Sequence, residues 1–137
     1  MPMAEWDING GRKRIDIIYM NDARSGFFQQ RRDQESTGAA MVIVECKNYT
    51  KEINNPEIDQ LLGRFDRNRG KFGMLLCRKV GNDERLLERC RDLAKSGSGY
   101  IIALTDEDLQ EMLAEKSHGN DNKVEAVLVR KFRDLIS

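Results

Sequence analysis

The sequence predicts an α/β domain in which a mixed β-sheet of about five strands is flanked by helices. Three observations lead to this prediction. Two strand-like segments meet at a glycine-rich turn near the N-terminus, a nearly continuous apolar strand follows, and helices then alternate with strands. An early hairpin followed by alternating helices and strands is typical of a mixed sheet with helices packed on it. The length suits one domain, which we expect to span residues 1–137.

The first element is a β-hairpin in the stretch AEWDINGGRKRIDIIYM, residues 4–20. The Asn-Gly-Gly sequence at residues 9–11 supplies residues that tolerate positive φ in a tight turn. In the second strand, about Lys13 to Met20, Asp16 has an isoleucine on each side. An acidic residue therefore lies within an apolar part of this strand.

The next strand is predicted over Met41 to Lys47. Its nearly continuous apolar run indicates a central position with both faces covered. Between it and the hairpin lies the polar stretch 21–38, in which we expect Phe27 and Phe28 to anchor a short helix. Glu45 and Lys47 stand at the polar end of the strand.

A helix is predicted after this strand, in the stretch NNPEIDQLLGRFDRN. Asn55 can cap it, and Pro56 fits its first turn. Apolar residues recur at the i, i+3, i+4 and i+7 spacing of one helical stripe. They are Ile58, Leu61, Leu62 and Phe65.

The remaining elements alternate in the same way. They are a strand at Phe72–Cys77, a helix at about Glu84–Lys95, a strand at Tyr100–Leu104, a helix to about Lys116 and a helix at about Lys123–Ile136. Thr105 and Asp108 have the spacing of a capping box at the start of the fourth of these. The apolar side of the last helix either covers the sheet or forms a dimer surface.

Composition excludes several classes of function. The formal net charge is zero, so no overall basic charge indicates nucleic-acid binding. No apolar run approaches the roughly 20 residues that span a bilayer, and none near the N-terminus resembles a signal peptide. We therefore expect a cytoplasmic protein.

Cys46, Cys77 and Cys90 are widely spaced and predict reduced thiols, while the single His118 leaves no histidine-based triad or metal site.

The residues that carry chemistry lie in the two strands already described. Alternate residues of a strand share a face, so Glu45 and Lys47 project about 7 Å apart on the same face. If the Asp16 strand pairs with theirs, two carboxylates meet near one point, and such a pair suits a hard ion such as Mg²⁺. A lysine beside that ion could position or deprotonate a water. The alternative is a Glu45–Lys47 ion pair, with Asp16 an unrelated acid.

An Asp in one strand, E-x-K in the next, then a helix and another strand resembles the PD-(D/E)xK nuclease superfamily, which has the restriction-endonuclease-like fold. Here the pattern reads RIDI, with Asp16, and VECK, with Glu45 and Lys47. The QLLGR sequence that begins at Gln60 resembles Mrr-like restriction nuclease domains. The resemblance covers about residues 4–77, which leaves 78–137 as a family-specific extension.

The resemblance implies a role for each matching residue. Asp16 and Glu45 would be ligands of Mg²⁺, for which Mn²⁺ could substitute, with the backbone carbonyl of Cys46 as a third ligand. Lys47 would be the catalytic lysine, and Gln60 would contribute from the following helix. The implied reaction is hydrolysis of a DNA phosphodiester by water, leaving a 5′-phosphate, in prokaryotic restriction or anti-phage defence.

DNA contacts are expected around these residues. Arg64 lies one helical turn from Gln60, and with Arg67 it could contact DNA phosphates. Asn48 and Tyr49 directly follow E-x-K and could line the DNA-facing rim. For all four DNA-contact candidates the alternative is an ordinary solvated side chain.

One feature departs from the family. The core of family members usually opens with a helix before the first strand, and that helix often carries another acidic residue near the metal. This sequence starts almost directly at the hairpin. We expect that the domain is cut from a larger protein or that another chain supplies the helix, which leaves the activity of this chain alone open. The alternatives are a DNA-binding module of the same fold with lost or incomplete catalysis, a nuclease acting on RNA or branched DNA, and a purely structural α/β domain.

Overall fold

The computed structural model describes residues 3–9, 12–47, 55–78 and 83–137, and it describes side chains over 17–46, 57–78 and 84–137. The strands are β1 (Met3–Asn9), β2 (Arg12–Met20), β3 (Met41–Lys47), β4 (Phe72–Cys77) and β5 (Tyr100–Leu104). The helices are α1 (Gly26–Asp33), α2 (Asn55–Leu62), α3 (Asp83–Lys95), α4 (Asp106–Ser117) and α5 (Asp121–Ile136).

The strands form one mixed sheet in the order β1-β2-β3-β4-β5. Strand β2 runs antiparallel to both of its neighbours, β1 and β3, while β4 runs parallel to β3 and β5 runs parallel to β4. The predicted α/β fold with about five strands is confirmed. The hairpin pairs β1 with β2 as far as Asn9 opposite Arg12, and Gly10 and Gly11 of the predicted turn lie outside the described residues.

Helix α2 packs on the face of the sheet that Gly73 occupies. A Cβ at Gly73 would lie 3.0 Å from side-chain atoms of Leu61 and Phe65, closer than most Cβ contacts, so the glycine favours the close approach of α2 and the chain after it. Ile58 and Leu61 of the predicted stripe are buried. The helix begins at Asn55, the residue predicted to cap it, and Phe65 lies beyond its last residue.

The opposite face is covered by α1 and α5. Phe132 of α5 packs against Phe72 and Tyr100 of the sheet, and Phe27 of α1 packs edge-on against Phe72 and Phe132. The predicted short helix around Phe27 is therefore present, at Gly26–Asp33. Helix α5 buries Val127, Leu128, Phe132 and Leu135, so its apolar side covers the sheet.

Other local predictions are also confirmed. Helix α4 starts with a capping box in which the Asp108 N–H donates to Thr105 Oγ1 at 3.3 Å and the Thr105 N–H donates to Asp108 Oδ2 at 2.9 Å. The three cysteines are free thiols, with Cys77 and Cys90 buried and Cys46 half-buried. Among the described residues, no helix is both long and apolar enough to cross a membrane.

Candidate active site

The pairing of β2 with β3 determines the centre of the candidate site. Asp16 and Glu45 are Cα partners in this antiparallel pair, and Arg14 and Lys47 are partners two residues further along. Positions directly opposite one another in such a pair belong to the same face of the sheet. A row of acidic positions therefore adjoins a row of basic positions on one face. The structure describes Asp16 and Lys47 through their backbone.

Glu45 is a buried carboxylate, only 1% exposed. It lies in the central strand β3, between Asp16 on β2 and Leu75 on β4. Burying an ionised carboxylate costs free energy unless hydrogen bonds, a counter-charge or a metal compensate for it. Glu45 is therefore not a solvated side chain at the end of the strand, and its role in the site stays a prediction.

The face that carries Glu45 is the face on which α2 packs. Ile43 and Gly73 are Cα partners, and Glu45 follows Ile43 by two residues, so it shares the face of Gly73. Helix α2 therefore forms the wall of the site, as the sequence order of E-x-K and helix suggests.

Two acidic residues near this face were missed by sequence reasoning. Glu57, in the first turn of α2, is 6% exposed. Its sequence position fits an ordinary acid at the positive end of a helix dipole, which gives no sign of its burial. Glu5 on β1 is the Cα partner of Asp16 on β2. Glu5, Asp16 and Glu45 therefore occupy adjacent positions on three neighbouring strands. The predicted hairpin could have revealed the position of Glu5, because a register that pairs Asn9 with Arg12 also pairs Glu5 with Asp16.

The other predicted site residues lie around this centre or outside it. Gln60 is exposed on α2, Arg64 is half-buried just after that helix, and Arg67 is exposed. Asn48 and Tyr49 lie outside the described residues. Cys46 lies between Glu45 and Lys47, opposite Ile15 on β2 and Leu76 on β4. The roles assigned to these residues stay predictions.

The donor set fits a hard divalent ion in its chemistry. Carboxylate and carbonyl oxygens are the ligands that such ions take, and Asp16, Glu45 and the Cys46 backbone offer them on two adjacent strands. Among the residues with described side chains, no group of three or more His, Cys, Asp or Glu forms a metal site. Asp16 is not among those residues.

Comparison with known proteins identifies the family. No curated protein and no solved structure matches the chain. The family model Mrr_cat, described as a restriction endonuclease, matches residues 9–113, which is more than half of the chain. This match includes β2, β3 and α2, and it confirms the resemblance to Mrr-like nuclease domains. The chain belongs to the Mrr_cat family of restriction endonucleases.

Proposed function

We propose that this chain is a metal-dependent endonuclease that hydrolyses DNA phosphodiester bonds. The observation that carries the proposal is the register of β2 and β3, in which Asp16 is the Cα partner of Glu45. Its family supplies the reaction class, a restriction-type nuclease. The register supports this class of function, because two acidic positions, 16 and 45, are Cα partners and the Lys47 position lies two residues further along β3.

Asp16, Glu45 and the carbonyl of Cys46 would hold the ion, Mg²⁺ or Mn²⁺. When bound, such an ion supplies positive charge to the phosphate oxygens and makes a coordinated water more acidic. Glu45 is suited to this role because its burial in the central strand limits its movement and strengthens its interaction with a cation. Asp16 contributes from the adjacent strand.

The lysine supplies a proton donor and a positive charge. Lys47 would orient the attacking water and stabilise the negative charge that develops on the phosphate. Arg14, its Cα partner on β2, adds a second cationic position to the same row. Gln60 would contribute from α2, at the exposed side of that helix.

DNA would lie along the outer side of α2. Arg64 and Arg67 follow this helix and would contact phosphates, which fixes the position of the duplex without reading its sequence. Asn48 and Tyr49 would line the rim after β3. We further propose a role in prokaryotic restriction or anti-phage defence.

Cleavage of supercoiled plasmid in Mg²⁺ or Mn²⁺ tests this function. The chain is compared with Glu45→Gln and Lys47→Ala, and with Glu125→Gln as a matched control. Glu125 is a half-buried acid whose carboxylate accepts the Phe27 N–H at 2.7 Å, on the opposite side of the sheet. We expect nicking that needs the metal, is lost in both site variants and persists in the control.

Other outcomes identify the alternatives. DNA binding without cleavage in the wild type would indicate a binding module of the same fold. Cleavage confined to RNA or branched DNA, tested beside the plasmid, would change the substrate. Equal nicking by the wild type and Glu45→Gln would refute the proposed site.

A further inference from the structure

Glu57 is a buried carboxylate to which the proposed function assigns no role. It lies in the first turn of α2 and is 6% exposed. The helix dipole stabilises an acid in the first turn of a helix, but it does so at the surface as well. Burying a carboxylate costs free energy unless a cation or hydrogen bonds compensate for it. The helix dipole therefore does not account for the burial of Glu57.

The direction of α2 across the sheet follows from its contacts with two glycines. A Cβ at Gly73 would lie 3.0 Å from side-chain atoms of Leu61 and Phe65, and a Cβ at Gly99 would lie 2.6 Å from the ring of Phe65. Gly99 directly precedes β5 and stands two residues before Ile101, the Cα partner of Gly73. The chain thus advances from Leu61 towards the amino ends of β4 and β5, so α2 runs antiparallel to both strands.

This direction places Glu57 level with Glu45. Glu57 lies one helical turn before Leu61, a distance of about 5.4 Å along the helix axis. Two residues of a strand cover about 6.6 Å. Since Leu61 lies over Gly73, Glu57 is level with Leu75, two residues further along β4. Leu75 is the Cα partner of Glu45.

The side of α2 that carries Glu57 faces β3 and β2. Asp59 lies on the other side, where its Oδ1 is 3.6 Å from Nη2 of Arg89 on α3. Leu62 also lies on that side, since its Cδ2 would be 2.9 Å from a Cβ at Gly99, beside β5. Residues two apart are separated by about 200° around a helix. Glu57 is therefore turned away from α3 and β5, towards the strands that carry the candidate site.

This placement brings a third acid to the adjacent positions of Asp16 and Glu45. Glu45 is 1% exposed, and Glu57 is buried in the same layer between α2 and the sheet. Carboxylates that are buried near one another repel, and a divalent ion bound by both replaces this repulsion with attraction. Carboxylate oxygens are also the ligands that Mg²⁺ takes.

We propose that Glu57 is a further ligand of the divalent ion. It adds a carboxylate from α2 to those of Asp16 and Glu45, so that the bound ion connects the helix with β2 and β3. Its burial restricts its motion, which lowers the conformational entropy that is lost when the ion binds. This inference rests on the metal-dependent function proposed above.

Isothermal titration calorimetry with Mn²⁺ tests this role without any substrate. The whole chain is compared with Glu57→Gln, which removes the charge and keeps the size of the side chain. We expect the Kd for Mn²⁺ to rise about tenfold or more in this variant, the range seen when groups that support a metal are lost. Asp59→Asn is the matched control, because Asp59 is an exposed acid of the same helix that faces α3. Its Kd should equal that of the wild type.

A second variant keeps the test decisive if Glu57→Gln does not fold, which circular dichroism without metal shows. Glu57→Asp keeps the charge but moves it back by one methylene group, so its Kd should exceed that of the wild type. Wild-type affinity in folded Glu57→Gln, or in Glu57→Asp where only that variant folds, would overturn the role of Glu57 and leave the metal site itself intact. Equal affinity of the wild type and Glu45→Gln would overturn the metal site and this inference together.

Discussion

Asp16 and Glu45 are Cα partners across the antiparallel pairing of β2 and β3. This register depends on the pairing along the whole length of both strands, because a slip of one residue would move Glu45 opposite an isoleucine and place the two acids on different faces. Position 45 is buried between its neighbouring strands, so the pairing that forms the apolar core of the sheet also brings the two acidic positions together.

Metal binding should stabilise the wild-type fold and should depend on Glu45. An ion that binds only the folded state stabilises it by about 2.7 kcal/mol at a hundred times its Kd. We expect Mn²⁺ to raise the Tm of the wild type and to leave the Tm of Glu45→Gln and Asp16→Asn unchanged. Thermal denaturation over a series of Mn²⁺ concentrations measures this without any substrate.

The control for this experiment is Glu125→Gln, on the other side of the sheet. Its Tm in the absence of metal should fall, because the Phe27 N–H loses a charged acceptor. The increase in Tm that Mn²⁺ causes in Glu125→Gln should equal the increase in the wild type. A rise that persists in both Glu45→Gln and Asp16→Asn would place the metal elsewhere.

The central part of the site could be predicted from sequence because its signals are local. Glu45 and Lys47 stand two residues apart in one strand, and a period of two determines that they share a face. The approach of Asp16 was predicted only on the condition that its strand pairs with the strand of Glu45. The structure shows that pairing, with positions 16 and 45 as Cα partners.

The burial of Glu57 could not be predicted, since it depends on packing. Glu57 is 6% exposed in the first turn of α2, and a single helical stripe does not reveal this. The pairing of Glu5 with Asp16 depends on the register of the hairpin, which places them opposite one another once Asn9 is opposite Arg12.

Gly26 should tolerate substitution less well than Gly97, although both have positive φ, of 83° and 74°. A Cβ at Gly26 would lie 2.5 Å from Oε2 of Glu125, whereas a Cβ at Gly97 would have no atom within 4 Å. Alanine at Gly97 should therefore cost only the backbone strain, about 1–2 kcal/mol. Alanine at Gly26 should cost more, because Glu125 must also move away from the Phe27 N–H. Urea denaturation of the two variants measures the difference, and equal losses would contradict it.

The capping box of α4 should contribute stability at neutral pH that is lost at acid pH. Burial raises the pKa of Asp108, but hydrogen bonds from Thr105 and the charge of Lys131 outweigh it, so the pKa lies below its ordinary value. A carboxyl with a lowered pKa in the folded state contributes stability above its unfolded pKa of about 3.9 and loses it as pH falls through the folded value.

We therefore expect Asp108→Asn to destabilise the fold at pH 7 and to have progressively less effect as the pH falls below about 4. Urea denaturation at a series of pH values measures the free energy of unfolding of both proteins. Asp92→Asn, at an exposed position on α3, serves as the control and should change the free energy of unfolding little. A difference between Asp108→Asn and the wild type that stays constant down to pH 3 would contradict the prediction.

Arg31 should be replaceable by an apolar residue of similar length. It is 7% exposed, its guanidinium lies 3.8 Å from the ring centre of Phe132 and 5.2 Å from that of Phe27, and burial lowers its pKa. Within the described residues its Nε and Nη1 have no hydrogen-bond partner. A buried cation that lacks an acidic partner carries a desolvation cost that stacking on aromatic rings only partly offsets.

Arg31→Met keeps a long side chain between Phe27 and Phe132 and removes that cost, so the free energy of unfolding should stay within about 1 kcal/mol of the wild type or rise. Arg31→Ala removes the packing as well and should destabilise the fold by about 2 kcal/mol or more. Urea denaturation of both variants separates the two contributions. If Arg31→Met were as destabilising as Arg31→Ala, the charge and not the apolar stem would be what holds α1 against α5.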